Sequence, residues 1–168
     1  TGRECRSLHA AGQERDGPWQ IDFQPKGRLL ASSNDDGVRL WDEGTGKELT
    51  NLPVGNSRGV RFGPAGDWMI TSGAHGIQRW AIHGDAQSGN MRIGPPQLIR
   101  QTLTTHHRHI ALSKDGRWLA AIVGPHEAVV IDLEQPTSAM SVAPHSGLST
   151  IGLSPDGPWV VTGTQHGA

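Results

Sequence analysis

Short apolar runs of four to six residues alternate along the chain with clusters of Gly, Pro, Asn, Asp and Ser, and the alternation is periodic. Four segments share one pattern, two apolar residues separated by a third and followed by a polar turn: Ile21-Asp22-Phe23-Gln24-Pro25-Lys26-Gly27-Arg28, Val60-Arg61-Phe62-Gly63-Pro64-Ala65-Gly66-Asp67, Ile110-Ala111-Leu112-Ser113-Lys114-Asp115-Gly116-Arg117 and Ile151-Gly152-Leu153-Ser154-Pro155-Asp156-Gly157-Pro158. Phe23, Phe62, Leu112 and Leu153 are 39, 50 and 41 residues apart. A period near 40 predicts an array of repeated units, each one supersecondary module that must stack on its neighbours to bury its faces.

Within the first unit the turn is followed by Leu29-Leu30-Ala31-Ser32-Ser33, the polar Asn34-Asp35-Asp36-Gly37, then Val38-Arg39-Leu40-Trp41-Asp42, Glu43-Gly44-Thr45-Gly46 and Glu48-Leu49-Thr50-Asn51-Leu52. Apolar stretches bounded by such turn formers read as short strands joined by hairpins, so each unit is a small antiparallel sheet. No window sustains an i, i+3, i+4, i+7 apolar stripe, and the Pro and Gly spacing would interrupt a helix. The expected division is an outer strand of a preceding sheet at 1–10, complete units at 19–58, 59–107 and 108–148, and an incomplete unit at 149–168.

These repeats resemble the WD-repeat family, whose members fold as β-propellers, and the likeness runs over nearly the whole chain. Its best carriers are the turn Pro155-Asp156-Gly157 with its variants, and Val38-Arg39-Leu40-Trp41-Asp42 followed by Thr45-Gly46-Lys47. The resemblance implies an all-β fold of four-stranded antiparallel blades, about four of them in a partial ring. It implies that the strands carrying Phe23, Phe62, Leu112 and Leu153 line the central channel, and that Trp41, Trp80 and Ile131 fill the space between neighbouring blades. It also implies a hydrogen-bonded cluster of His, Ser or Thr, Asp and Trp, with the Asp six residues before the Trp. Asp35 and Trp41 meet that spacing, whereas Ala74 and Pro125 stand at the same offset in the second and third units; His145 and Thr162 are the other candidates. Cohesion is therefore expected to rest on apolar packing more than on the polar network.

The spacing of 50 locates an insertion. Trp80 to Leu98 is 18 residues, against 8 from Trp41 to Leu49, so about ten extra residues fall within Ala81 to Pro96, centred on 83–95. A polar, Gly- and Pro-rich loop on a regular scaffold reads first as a tolerated surface insertion and second as an interaction loop, with His83, Asp85, Asn90 and Arg92 as its candidate contacts.

Composition narrows the chemistry. Lys plus Arg number 15 against 16 Asp plus Glu, a formal net charge of -1, so no bulk attraction to nucleic acid or to an anionic membrane is available. Cys5 stands alone, which excludes an intrachain disulfide and favours a reducing, cytoplasmic setting. No run of ~18 apolar residues offers a membrane span. In His106-His107-Arg108-His109 only His107 and His109 share a strand face, too few for a metal site. Gly44-Thr45-Gly46-Lys47 lacks the spacing and helix of a phosphate loop. Asp22, Arg61 and His109 are the only ionisable candidates on the innermost strands and form no recognised catalytic set.

The expected function is that of a non-enzymatic platform presenting loops and a concave face to protein partners, with no metal, no cofactor, no nucleic acid and no membrane involved. The alternative is a sensor or adaptor module of a larger bacterial enzyme such as a serine/threonine protein kinase, with catalysis outside this chain. Either the remaining blades of a longer parent chain or a second copy is expected to cover the ends of the arc.

Overall fold

The computed structural model describes residues 8, 17–84, 90–101, 109–124, 126–142 and 146–164. Among these residues every regular element is a strand, and the strands fall into four consecutive antiparallel groups. The first sheet is β1 (Gln20–Phe23), β2 (Leu29–Asn34), β3 (Gly37–Asp42) and β4 (Glu48–Leu52), hydrogen-bonded in that order. The second comprises β5 (Ser57–Phe62), β6 (Trp68–Gly73) and β7 (Gly76–His83), followed by β8 (Arg92–Ile93) and β9 (Gln97–Arg100), which both pair with β7. The third is β10 (Ile110–Leu112), β11 (Trp118–Gly124), β12 (Glu127–Asp132) and β13 (Ala139–Val142); the fourth contains β14 (Leu148–Leu153) and β15 (Val160–Thr164).

First strands of successive sheets lie side by side, β1 against β5, β5 against β10 and β10 against β14, so the sheets radiate from a common line. Between them lie three apolar layers. Leu29, Ala31, Val38 and Leu40 of the first sheet meet Val60, Phe62, Met69, Trp80 and Ile82 of the second. Ile70 and Ile77, on the opposite face of the second sheet, meet Ile110, Leu119, Ala121, Val129 and Ile131. Ala120, Ile122, Ala128 and Val130 meet Leu148 and Ile151. One face of β2 and β3 lies in the first apolar layer and all six residues of each strand are buried, whereas the outer β4 alternates half-buried and exposed positions. Each large side chain in these layers contributes about 1.5–3 kcal/mol relative to exposure. This is a partial β-propeller of about four blades.

The two ends of the array expose some apolar side chains, although Leu30 and Trp41, on the same face of the first sheet as Ile21 and Phe23, are buried. Ile21 and Phe23 are 51% and 57% exposed on β1, while the equivalent Phe62 is 4% exposed beneath the first sheet. At the other end Val161 is 69% exposed on the face of β15 turned away from the third sheet.

The insertion needs a correction. Residues 83–95 were expected to form a plain loop, but β7 extends through His83 and pairs with β8 in the register Ile82 to Ile93 and His83 to Arg92. The chain then turns at Pro95-Pro96 and returns as β9 along the first half of β7, opposite Ile77 to Arg79. The eight-residue β7 thus serves two partners in succession, and the insertion begins as a hydrogen-bonded extension of the sheet.

Candidate interaction surface

Side chains at every second position of β1 and its following turn reach across to the second blade. Gln20 Oε1 accepts from the Val60 amide at 3.0 Å, Asp22 Oδ2 from the Phe62 amide at 2.8 Å, and Gln24 Nε2 donates to the Gly66 carbonyl at 2.7 Å. Gln20 Nε2 also donates to the Ile110 carbonyl at 3.1 Å, tying the inner strands of three blades. Adjacent inner strands share no backbone ladder, so these side chains satisfy main-chain groups that would otherwise face the channel unpaired. Burial raises the Asp22 carboxyl above its ordinary range, with the Phe62 amide and the Arg61 guanidinium at 3.8 Å opposing it.

The polar network expected within the blades is arranged differently. Trp41 Nε1 donates to Ser32 Oγ at 3.0 Å and Trp80 Nε1 to Thr71 Oγ1 at 3.0 Å, two equivalent links from the third strand to the second. In the third sheet Ala121 and Ile131 occupy those positions, both fully buried, and an apolar contact replaces the bond. Asp35, expected to join Trp41, instead accepts from Trp19 Nε1 at 3.1 Å and Asn56 Nδ2 at 2.6 Å and pairs with Arg58 at 3.3 Å. The Arg58 guanidinium stacks 3.4 Å from the Trp19 ring centroid, so Asp35 belongs to a surface cluster linking the first two blades. The correction has a simple cause: Asp35 sits in the two-residue hairpin tip between β2 and β3, beyond the reach of the Trp41 ring at the other end of β3. Thr162 lies on β15 opposite Ile151, on the face toward the third sheet, and His145 lies outside the described residues.

A repeated ion pair closes the opposite end. Arg28 reaches Asp42 at 3.3 Å, and the equivalent Arg117 binds Asp132 through Nε and Nη2, at 2.8 Å for the latter. Hydrogen bonds from the Thr45 amide and hydroxyl, with Arg28 adding to them, hold the Asp42 carboxyl below its usual range; Arg117 does the same for Asp132. The second blade has Asp67 and Ala81 at these positions and lacks the pair.

At this end, between the first and second blades, a cleft of about 570 Å³ opens beside the insertion. Its floor is the upper edge of the first apolar layer, Leu29 and Ile82 with Met91 from the insertion; its walls are the turn 24–28, the turn 65–67 and His83-Gly84. The wall at 24–28 departs from its three counterparts. Gly66, Gly116 and Gly157 take the left-handed backbone that ends each turn, at φ 78, 77 and 86. In the first blade the left-handed residue is Lys26, φ 58, although Gly27 is next to it; among the described residues it is the one non-glycine with positive φ. An L side chain in that region costs of order 1–3 kcal/mol. Of the residues singled out in the insertion, His83 lines the cleft, Asn90 and Arg92 are exposed next to it, and Asp85 lies outside the described residues.

Among the described residues no three His, Cys, Asp or Glu side chains come together as a metal site, and no helix is long and apolar enough to cross a membrane. Cys5 and residues 106–108 lie outside the described residues.

The family WD domain, G-beta repeat matches residues 3–42. Comparison with curated proteins finds no sequence match. Among solved structures, Kuenenia stuttgartiensis hydrazine synthase superposes with a TM-score of 0.63 at 16% identity, over 88% of this chain and 56% of that one. The chain therefore spans little more than half the length of that relative, and the likeness speaks to the propeller fold alone.

Proposed function

Starting from a chain that is a WD-repeat β-propeller segment, we propose that it is a non-enzymatic platform for protein–protein contact, and that the end bearing the insertion is its binding face. The observation that carries this reading is the cleft between the first two blades. Its walls are turns fixed to rigid sheets: Gln24 is bonded to Gly66 across the blade boundary, and β7 holds the base of the insertion by the pairing of Ile82 with Ile93. Ordered loops on a rigid scaffold bind with less loss of conformational freedom than mobile ones.

The exposed Ile21 and Phe23 at one end of the array and Trp159 and Val161 at the other support a second class of contact, with further blades supplied by a longer chain or a second copy, because exposed apolar side chains favour coverage.

A photo-crosslinking residue placed at exposed Ala65, on the cleft wall, is expected to give discrete protein adducts in the native host, and the same residue at Asn51 on outer strand β4 is expected to give none. Equal labelling from the two positions, or none from Ala65, contradicts the reading.

A further inference from the structure

We infer that the cleft recognises a carboxylate on an acidic and apolar peptide segment, with Lys26 as the contact for the charge. The inference rests on the platform reading above and names the chemistry of its ligand. Three observations carry it. The left-handed conformation falls on Lys26 when an adjacent glycine would accept it at no steric cost, and strain of this kind is retained where surrounding structure holds a side chain for use. Lys26 is exposed and, among the described residues, has no ion-pair partner, whereas the neighbouring Arg28 is already bound to Asp42. His83 lines the cleft beside it, while Asp67 is the one acid among the described lining residues.

The rest of the cavity specifies what accompanies the charge. Leu29, Ile82 and Met91 form an apolar floor large enough for an aliphatic side chain, so a segment placing an acidic residue next to an apolar one matches both surfaces. A nucleic-acid backbone fits less well, because it needs several cations in a row, and here one free lysine stands near Asp67 in a chain of net charge -1.

The test is a titration of the ¹⁵N-labelled chain with a blocked tetrapeptide of alternating glutamate and leucine, its glutamine counterpart, and a single-stranded decathymidylate. The glutamate peptide is expected to shift the amides of residues 24–28, 65–67, 82–84 and 91. Its affinity should fall about three- to fivefold in Lys26→Gln, the loss of one solvent-screened ion pair, with no change in unfolding midpoint. Lys26→Gly should weaken binding by a similar factor and raise the midpoint by about 2–4 °C. Equal affinity for the glutamine peptide, an unchanged Kd in Lys26→Gln, or tighter binding of decathymidylate overturns the inference. Cellular adducts at Ala65 that persist in Lys26→Gln separate the two proposals, because they leave the platform standing and remove its carboxylate chemistry.

Discussion

The first and second blade junctions have the same architecture and are held by different chemistry. At the first, an apolar layer of Leu29, Val38, Leu40, Phe62, Met69 and Trp80 is capped along the channel by Gln20, Asp22 and Gln24, which bond the second blade's main chain. At the second, the positions of β5 and its following turn equivalent to those three are Gly59, Arg61 and Gly63, and the layer between the sheets is Ile70, Ile77, Ile110, Leu119, Val129 and Ile131. Directional bonds fix how the first two blades sit against one another, and the cleft lies over that fixed boundary. Among the described residues the second and third sheets meet in an apolar layer, and cohesion contributed by that layer scales with buried volume.

The largest way to break the contrast is to cut the apolar junction. Leu119→Ala and Ile131→Ala should each destabilise by about 2–5 kcal/mol in urea unfolding, because both residues are fully buried and a cavity would remain. Gln20→Ala at the first junction should cost less, about 1–3 kcal/mol, since it strands the Val60 amide and the Ile110 carbonyl without removing apolar volume. Equal losses from the two classes of substitution would remove the distinction.

Acidity sharpens it further. Asp132, Asp42 and Asp115 have carboxyls held below the ordinary value near 3.8 by Arg117, by the Thr45 groups and by the Ser113 hydroxyl respectively. Their stabilisation is present above that value and is lost as pH falls below it toward the depressed folded values. Asp22 runs the other way: its folded carboxyl is raised, so its contribution declines as pH climbs from about 3.8 through the raised value. Asp132→Asn should therefore flatten the acid limb of the melting temperature below pH 4. Asp22→Asn, which keeps an acceptor for the Phe62 amide, should remove the decline above it. The smallest expected effect is the gain in Lys26→Gly, at most about 1 kcal/mol, because relief of the left-handed backbone is partly offset by the greater freedom of glycine in the unfolded chain.

Much of the fold is visible in the sequence because each strand is a short apolar run between turn formers, and the run recurs at one spacing. The bonds that tie strands and blades together are harder to see. Ser32 and Thr71 read as ordinary polar residues on a strand, and only the antiparallel register carries them to the indoles of Trp41 and Trp80. The Arg28–Asp42 and Arg117–Asp132 pairs had a signal in Gly-Arg recurring 14 and 15 residues before Asp, which a search by spacing would have found. Gln20, Asp22 and Gln24 alternate as solvent-facing positions would, and their partners are main-chain atoms about 40 residues away, where side-chain identity carries no trace. β8 is two residues long, too short for any periodicity, and Pro25-Lys26-Gly27 reads as a turn whose glycine takes the unusual φ, the reverse of what the backbone does.

The central claim is that consecutive sheets meet face to face in an arc, and methyl and indole nuclear Overhauser contacts test it most directly. Trp80 should show cross-peaks to the methyls of Leu29, Val38 or Leu40 in the preceding blade, and Ile131 to those of Ile70 or Ile77. Cross-peaks from Trp80 and Ile131 confined to residues of their own sheets would contradict the arrangement.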